Sequence, residues 1–286
     1  MAQFTNQAQL TYNNFVTNSN IAVGEILEVL SATKTAVQDT YGRDDRVTYL
    51  VSIVNSGTTA QSQLTLTDNL GAYSFGTMNP TQLVPLTYVE DTVKYYINGV
   101  LQPTPPVIAG PPLVISNITI PAGGNVLIAY EAQTNQYAPI TTGARILNRV
   151  TISGNCISDI TVEETVLAES EPLLSITKSV SPVPVTENGV LTYTFVIQNT
   201  GNTAATVADA AVITDTFDPI LTNLSVTFNG TTWTEGANYT YNVITGLFAT
   251  LPGQITVPAA TYTQNPVTGV WTTNPGVSTL VVSGVV

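Results

Sequence analysis

One pattern occurs twice along the chain, in the same order, and leaves room for little but a pair of β-rich domains. Val47-Thr-Tyr-Leu-Val-Ser-Ile-Val-Asn55-Ser-Gly57 matches Leu191-Thr-Tyr-Thr-Phe-Val-Ile-Gln-Asn199-Thr-Gly201. Leu64-Thr-Leu-Thr-Asp68-Asn-Leu matches Ala211-Val-Ile-Thr-Asp215-Thr-Phe, and Asn98-Gly99 matches Asn229-Gly230, a dipeptide that favours tight hairpins. Ile118-Thr-Ile-Pro-Ala122 matches Ile255-Thr-Val-Pro-Ala259, and Asn125-Val-Leu-Ile-Ala-Tyr130 matches Ser278-Thr-Leu-Val-Val-Ser283. Short alternating runs punctuated by Gly, Pro and Asn predict a β-sandwich in each half. At 286 residues each half has enough chain for its own core. The second copy is shorter in the middle and gains a hairpin-like insertion over Thr261 to Pro275.

What the chain lacks bounds its chemistry. It has no histidine, which removes His-based general base catalysis, Ser-His-Asp triads and most zinc sites. A net charge of −12 argues against a nucleic-acid partner. Charged residues make up 9% of the chain against roughly 25% in average domains, a composition that suits a surface or extracellular protein. No run is long enough to span a bilayer, so no membrane insertion is expected, and Met-Ala-Gln-Phe-Thr-Asn is not an ordinary export signal. Cys156 is the only cysteine, so an intrachain disulfide is excluded; it reads as a small apolar filler or as a link between subunits. No cofactor motif and no metal site are expected. Asp39, Asp44 and Asp45 read as a solvated acidic turn, and Trp233 and Trp271 as core or packing residues rather than a glycan platform.

The first dozen residues look like the last strand of a domain. Phe4-Thr-Asn6-Gln-Ala8-Gln-Leu10-Thr-Tyr12 is similar to Leu147-Asn148-Arg-Val150-Thr-Ile152-Ser153, with an Asn followed by strict alternation in both. The second half, by contrast, stops at Leu280-Val-Val-Ser-Gly-Val-Val286 without a counterpart of residues 134–153. The repeat is thus circularly permuted, cut between its last two strands. The organisation expected is an arm and linker over 1–24, a first sandwich over 25–158 and a second over 159–286 that lacks its last strand. Phe4, Asn6, Ala8, Leu10 and Tyr12 are the expected donor strand, adding to the open edge of another copy. Such a head-to-tail contact builds open filaments rather than closed dimers. Self-insertion would require the arm to run back along the whole first domain.

The motifs Thr-Tyr-x(5)-Asn-x-Gly, Thr-Asp and Ile-x-x-Pro-Ala resemble the bacterial surface repeat called "domain of unknown function eleven". The resemblance covers the chain from residue 25 on, plus the arm, and implies immunoglobulin-like sandwiches of the kind found in envelope and spore-coat proteins. Such repeats serve as stalks, adhesins and fibre subunits, so the resemblance is specific for fold and weak for function.

Three polar residues in each repeat share a face with apolar neighbours. Lys178 is in phase with Leu174, Ile176 and Val180, and Lys34 with Leu30, Ala32 and Ala36. Asn148 shares its face with Val150 and Ile152, and Asn6 with Ala8, Leu10 and Tyr12. Asp68 follows Leu64 and Leu66 in phase, and Asp215 follows Ala211 and Ile213. Burying an unpartnered charge costs several kcal/mol, so a buried Lys sheds its proton and a buried Asp holds one. A neutral amine beside an Asn amide, with a carboxyl to relay protons, is set up to form an amide and lose ammonia. The resemblance implies this chemistry, a Lys–Asn isopeptide bond tying first strand to last. The alternative is a buried Lys–Asp ion pair hydrogen-bonded to the Asn. Glu131 is a competing acid, but only Asp68 and Asp215 recur.

The expected sites are therefore Lys34, Asp68 and Asn148 within one chain, and Lys178 and Asp215 of one chain with Asn6 of the next. The expected function is a structural subunit of an extracellular or spore-surface fibre whose partner is itself; a tip or anchor protein stays unidentified. Without an ordinary export signal, such a protein could be made inside a mother cell and displayed on a spore. The alternative is a monomeric surface adhesin or glycan-binding stalk; an enzyme is the third option.

Overall fold

Alternation along each repeat decides which residues become strands and which side of each strand is buried. The computed structural model describes all of the chain except Met1, Leu27, Met78, Asn79 and Cys156, and the backbone alone of Ala2, Gln3 and Ile26. The isolated cysteine therefore lies outside the described residues. The chain is all-β and forms two compact units: Met1–Asn135 with Ile146–Val166, and Gln136–Arg145 with Leu167–Val286.

The arm comprises β1 (Ala2–Asn6), β2 (Gln9–Tyr12), β3 (Phe15–Asn18) and β4 (Ala22–Ile26). It does not run as the single extended donor strand expected over Phe4–Tyr12. β1 pairs antiparallel with β4, placing Asn6 opposite Ala22, and β2 pairs with β3, placing Tyr12 opposite Phe15. The turn is Asn13-Asn14, whose φ values of 43° and 65° lie in the left-handed region that Asn tolerates. This turn lets unpaired backbone groups of the strand find partners in the residues that follow. The hairpin shelters little: Phe4, Leu10, Tyr12, Phe15 and Val16 are all more than half exposed.

The first sandwich follows as β5 (Leu30–Ala36), β6 (Thr40–Tyr41), β7 (Arg46–Asn55), β8 (Gln61–Asp68), β9 (Tyr73–Phe75), β10 (Thr81–Leu83), β11 (Leu86–Tyr88), β12 (Lys94–Ile97), β13 (Val100–Gln102), β14 (Val107–Ile108), β15 (Leu113–Ile120), β16 (Asn125–Thr134), β17 (Arg145–Ser153) and β18 (Ile160–Ala168). One sheet has the order β13-β12-β16-β7-β5, with β11 also on β16; the other is β14-β15-β8-β17-β18-β6. Val47, Tyr49, Val51 and Ile53 of β7 and Val126, Ile128 and Tyr130 of β16 are buried, as are Leu64 and Leu66 of β8. β17 contributes a full inward row, Ile146, Asn148, Val150 and Ile152, all buried. β18 lies beside β17 in this sheet, past residue 158 where the second domain was expected to begin, and Val166, the last residue of the first unit, is buried.

The second sandwich contains β19 (Leu174–Ser181), β20 (Val190–Asn199), β21 (Thr214–Thr216), β22 (Thr222–Phe228), β23 (Thr231–Trp233), β24 (Tyr239–Tyr241), β25 (Leu247–Thr250), β26 (Thr261–Gln264), β27 (Trp271–Asn274) and β28 (Gly276–Val285). Its sheets are β19-β20-β28-β22-β23 and β21-β25-β24, and the insertion forms the β26–β27 hairpin. Tyr193, Phe195, Phe217, Trp233, Phe248 and Leu280 lie in its core, with Trp233 stacked on Phe228. Both Asn-Gly pairs turn hairpins, closing β12–β13 at Ile97 and Val100 and β22–β23 at Phe228 and Thr231.

The repeated Asn-x-Gly and Ile-x-x-Pro-Ala motifs meet in space. Asn55 and Asn199 are fully buried. Each accepts from the glycine amide two residues on, at 3.0 Å from Gly57 and 2.9 Å from Gly201. Each donates across the sandwich at 3.0 Å, Asn55 to the Pro121 carbonyl and Asn199 to that of Pro258. A buried amide with all its partners met fixes this end of both units.

One match in the sequence shifts. Tyr49 lies opposite Tyr130, and its counterpart Tyr193 lies opposite Val282. Tyr130 is therefore matched by Val282 and not by Ser283. Both faces of Gly276–Val285 carry valines, so alternation alone does not fix its phase.

Candidate functional site

The first unit brings Lys34, Asp68 and Asn148 together. Lys34 projects from β5, Asp68 ends β8, and Asn148 comes from β17, which lies beside β8 with Val150 opposite Asp68. Lys34 Nζ donates to Asp68 Oδ2 at 2.8 Å, and both side chains are fully shielded from solvent. Asn148 Nδ2 donates to the same oxygen at 3.2 Å. The Tyr130 hydroxyl donates to it as well, in a short contact. Asp68 Oδ1 accepts from the Leu70 amide at 2.6 Å, so both carboxylate oxygens are held. Lys34 Nζ also sits 4.5 Å from the Tyr49 ring centre, and the Tyr49 hydroxyl, pushed up chiefly by burial, interacts with the Asn148 side chain.

Burial pulls the Lys34 ammonium down to about 8, against the charge and hydrogen bond of Asp68, which pull it up. Burial, and after it the Asp68 charge, pushes the Tyr130 phenol well above its ordinary value, so it stays a donor. Glu131, the competing acid, stands outside the cluster and pairs with Arg46 at 3.2 Å in a partly exposed contact.

The turn after β8 completes the site. Leu70 and Gly71 have φ values of 53° and 73°. This left-handed pair is unfavourable for Leu and easy for Gly, and it aims the Gly71 amide at Asn148 Oδ1, 3.2 Å away. A Cβ at position 71 would stand 2.5 Å from Ile146 Cγ2, so glycine also fits the space. Sequence reading missed Tyr130 and the Gly71 amide. Tyr130 carries a usable signal, being in phase with Val126 and Ile128; the amide carries none, because backbone direction is invisible to side-chain patterns.

The second unit repeats only part of this. Lys178 Nζ lies 2.5 Å from Asp215 Oδ2 and 4.4 Å from the Tyr193 ring centre. The Lys178 side chain is 40% exposed, so it does not point into a closed core as expected. Asp215 Oδ2 takes no hydrogen bond beyond this ion pair. In the first unit β8 lies between β15 and β17; in the second, β21 pairs with β25, and among the described residues no strand lies along its other edge. Without that partner the strand shrinks from the eight residues of β8 to three. Ile176 is half exposed and Ile213 only partly buried beside this opening. Asn6 is exposed in the arm hairpin.

Other candidates resolve simply. In the acidic turn, the Asp45 carboxylate accepts from the Gly42 amide at 2.7 Å. No group of three or more His, Cys, Asp and Glu side chains among the described residues could hold a metal, and no helix there is long and apolar enough to cross a membrane.

No family model and no curated protein matches the chain, so the resemblance to the surface repeat is one of motifs. Among solved structures the chain is similar to BcpA, the major pilin subunit of Bacillus cereus, at 9% identity and a TM-score of 0.36, over 96% of this chain and 73% of that one. It is similar to RrgB, the pilus backbone of Streptococcus pneumoniae, at 12% identity and a TM-score of 0.33, over 86% of this chain and 55% of that one. It is also similar to ACE19, the collagen-binding subdomain of the Enterococcus faecalis surface protein ACE, at 7% identity and a TM-score of 0.30, over 50% of this chain and 99% of that one.

Proposed function

We propose that this protein is the structural subunit of an extracellular, cell- or spore-surface fibre whose copies join head to tail. The arm of one copy supplies the strand along β21 of the next. The observation that carries this reading is the free edge of β21 beside an ion pair whose carboxylate lacks the donors that Asp68 has. With Asn6 in the place of Asn148, Ala8 comes opposite Asp215 and Leu10 opposite Ile213, as Val150 and Ile152 lie opposite Asp68 and Leu66. Burying Phe4, Leu10 and Tyr12 contributes about 1.5–3 kcal/mol each. An isolated two-stranded hairpin is marginal in water, so opening the arm costs less than the insertion returns.

In the first unit the same residues close a Lys34–Asn148 amide. A proton passes from Lys34 Nζ to Asp68 Oδ2, leaving a neutral amine; after the amine attacks, Asp68 hands that proton to Asn148 Nδ2, which leaves as ammonia, and takes a second proton from Nζ, so the amide nitrogen keeps one. One oxygen in hydrogen-bond reach of both nitrogens makes this relay short. The second unit performs the same step on Asn6 of the inserted arm, which welds the joint.

Amide formation can be followed by intact mass in chain isolated unfolded and refolded by dilution. The lysine–carboxylate pair keeps its shared proton below about pH 8 and loses it above, when the acid that protonates Nδ2 is gone. The rate of ammonia loss is therefore expected to be flat up to about pH 8 and to fall about tenfold per unit beyond. Filaments boiled in detergent should give a ladder that Asn6→Ala removes while one ammonia per chain is still lost. A full unmodified mass and a monomer band at every time would sink both cross-links.

A further inference from the structure

The two lysine sites differ in donor groups that sequence matching does not reveal. Amide formation at Asn148 passes through a tetrahedral centre. The Lys34 Nζ lone pair forms the Nζ–Cγ bond, and the Cγ–Oδ1 π pair moves onto Oδ1. When that pair returns, the Cγ–Nδ2 bond breaks and Nδ2 leaves as ammonia, carrying the proton that Asp68 first took from Nζ; Asp68 takes the second Nζ proton, so the amide nitrogen keeps one. Nothing is oxidised or reduced. Negative charge therefore develops on Oδ1, in a site shielded from solvent, where a fixed donor acts most strongly.

The donor present there is the Gly71 N–H, 3.2 Å from Asn148 Oδ1. It is held by the left-handed Leu70-Gly71 turn, and that turn is pinned by the Leu70 amide on Asp68 and by Asn69 Oδ1, which also accepts from Gly71 at 3.0 Å. The acid and the donor are thus parts of one turn. In the second unit Asp215 is followed by Thr216, Phe217 and Asp218, so Phe217 and Asp218 stand where Leu70 and Gly71 do. The Phe217 amide is committed to the Gly246 carbonyl at 2.9 Å, and neither Phe217 nor Asp218 has a positive φ. Val282 replaces Tyr130, so the second carboxylate lacks the phenol donor too.

We propose that the Gly71 N–H is the oxyanion donor for the Lys34–Asn148 amide, and that the Lys178 site, lacking it, closes more slowly. The proposal rests on the cross-linking reading above. It makes the order of events a property of the fold: each subunit is sealed internally first, strand exchange follows, and the intersubunit weld comes last.

The test removes one N–H and leaves every side chain in place. Cell-free synthesis with glycolate at position 71 puts an ester in place of the Leu70–Gly71 peptide bond. Full-length chain is refolded by dilution and ammonia loss is timed by intact mass. Removing one such donor should slow closure by about 10²–10³-fold, with the flat pH profile up to about pH 8 retained. Preassembled wild-type filaments, boiled at intervals, should show internal ammonia loss complete before chain-to-chain bonds appear. An ester chain that folds and closes at the wild-type rate overturns the proposal, as does an intersubunit bond that forms first. A wild-type chain that never loses ammonia overturns the cross-linking reading itself, an outcome distinct from the other two.

Discussion

Asp68→Ala is expected to destabilise the first sandwich by about 3–5 kcal/mol, beyond the loss of any cross-link. Its carboxylate is the acceptor for Lys34, Tyr130, Asn148 and the Leu70 amide, and it is fully buried. Without it the Lys34 ammonium sits shielded from solvent with no counter-charge, and each abandoned donor adds its own desolvation cost. Part of the loss is avoided if Lys34 gives up its proton, which burial already favours. The comparison that isolates the charge is Lys34→Met with Asp68→Leu. Removing both sides of a buried pair spares the unpaired ammonium, so the double variant should recover the charge part of the loss and keep the cost of the abandoned Tyr130, Asn148 and Leu70 donors. Urea unfolding of each variant, against unreacted Asn148→Ala as the uncross-linked reference, measures both. A cost for Asp68→Ala below about 1 kcal/mol would mean that the pair is solvated.

Leu10→Asp is expected to abolish filaments while leaving the two sandwiches folded. In the arm hairpin Leu10 is 61% exposed, so the substitution costs the free subunit little. In the inserted strand the same position faces Ile213, where Ile152 is fully buried in the first unit. A carboxylate there costs several kcal/mol and forfeits the leucine's burial, enough to shift assembly by several orders of magnitude. Thr11→Asp, one residue on and facing outward in the same register, should leave assembly nearly intact. Negative-stain imaging and sedimentation of the pair read the contrast. Equal filament yield from both would contradict the register.

The two sandwiches were legible because alternation and turn chemistry agree. Val47, Tyr49, Val51 and Ile53 recur at every second residue in the run that becomes β7, and Asn98-Gly99 and Asn229-Gly230 each turn a hairpin. Lys34, Asp68 and Asn148 were legible as inward positions because a period of two leaves no other face. What escaped depends on pairing rather than pattern. The arm's hairpin rests on Asn13-Asn14, a turn signal that alternation up to Tyr12 overshadows. β18 joins the first unit through its neighbour β17 and not through any signal at residue 158. Lys178 follows the same alternation as Lys34, yet its side chain is 40% exposed, and among the described residues no strand lies along the other edge of β21. The Gly71 amide belongs to the backbone, whose direction no side-chain pattern reports.

Strand insertion between copies is tested most directly by a cysteine trap that does not depend on amide chemistry. With Ala8 opposite Asp215, Gln9 comes opposite Thr214 on the outer face, within disulfide reach for a cross-strand pair. Cys156 is replaced by Ala, and Gln9→Cys and Thr214→Cys are made in one chain, with Asn6→Ala to exclude the weld. Assembled filaments are oxidised mildly and run without reductant after boiling. Insertion between copies predicts a ladder of disulfide-joined chains that requires both cysteines and collapses to monomer on reduction. Free thiols within intact filaments, or a disulfide closed within single chains, would contradict it.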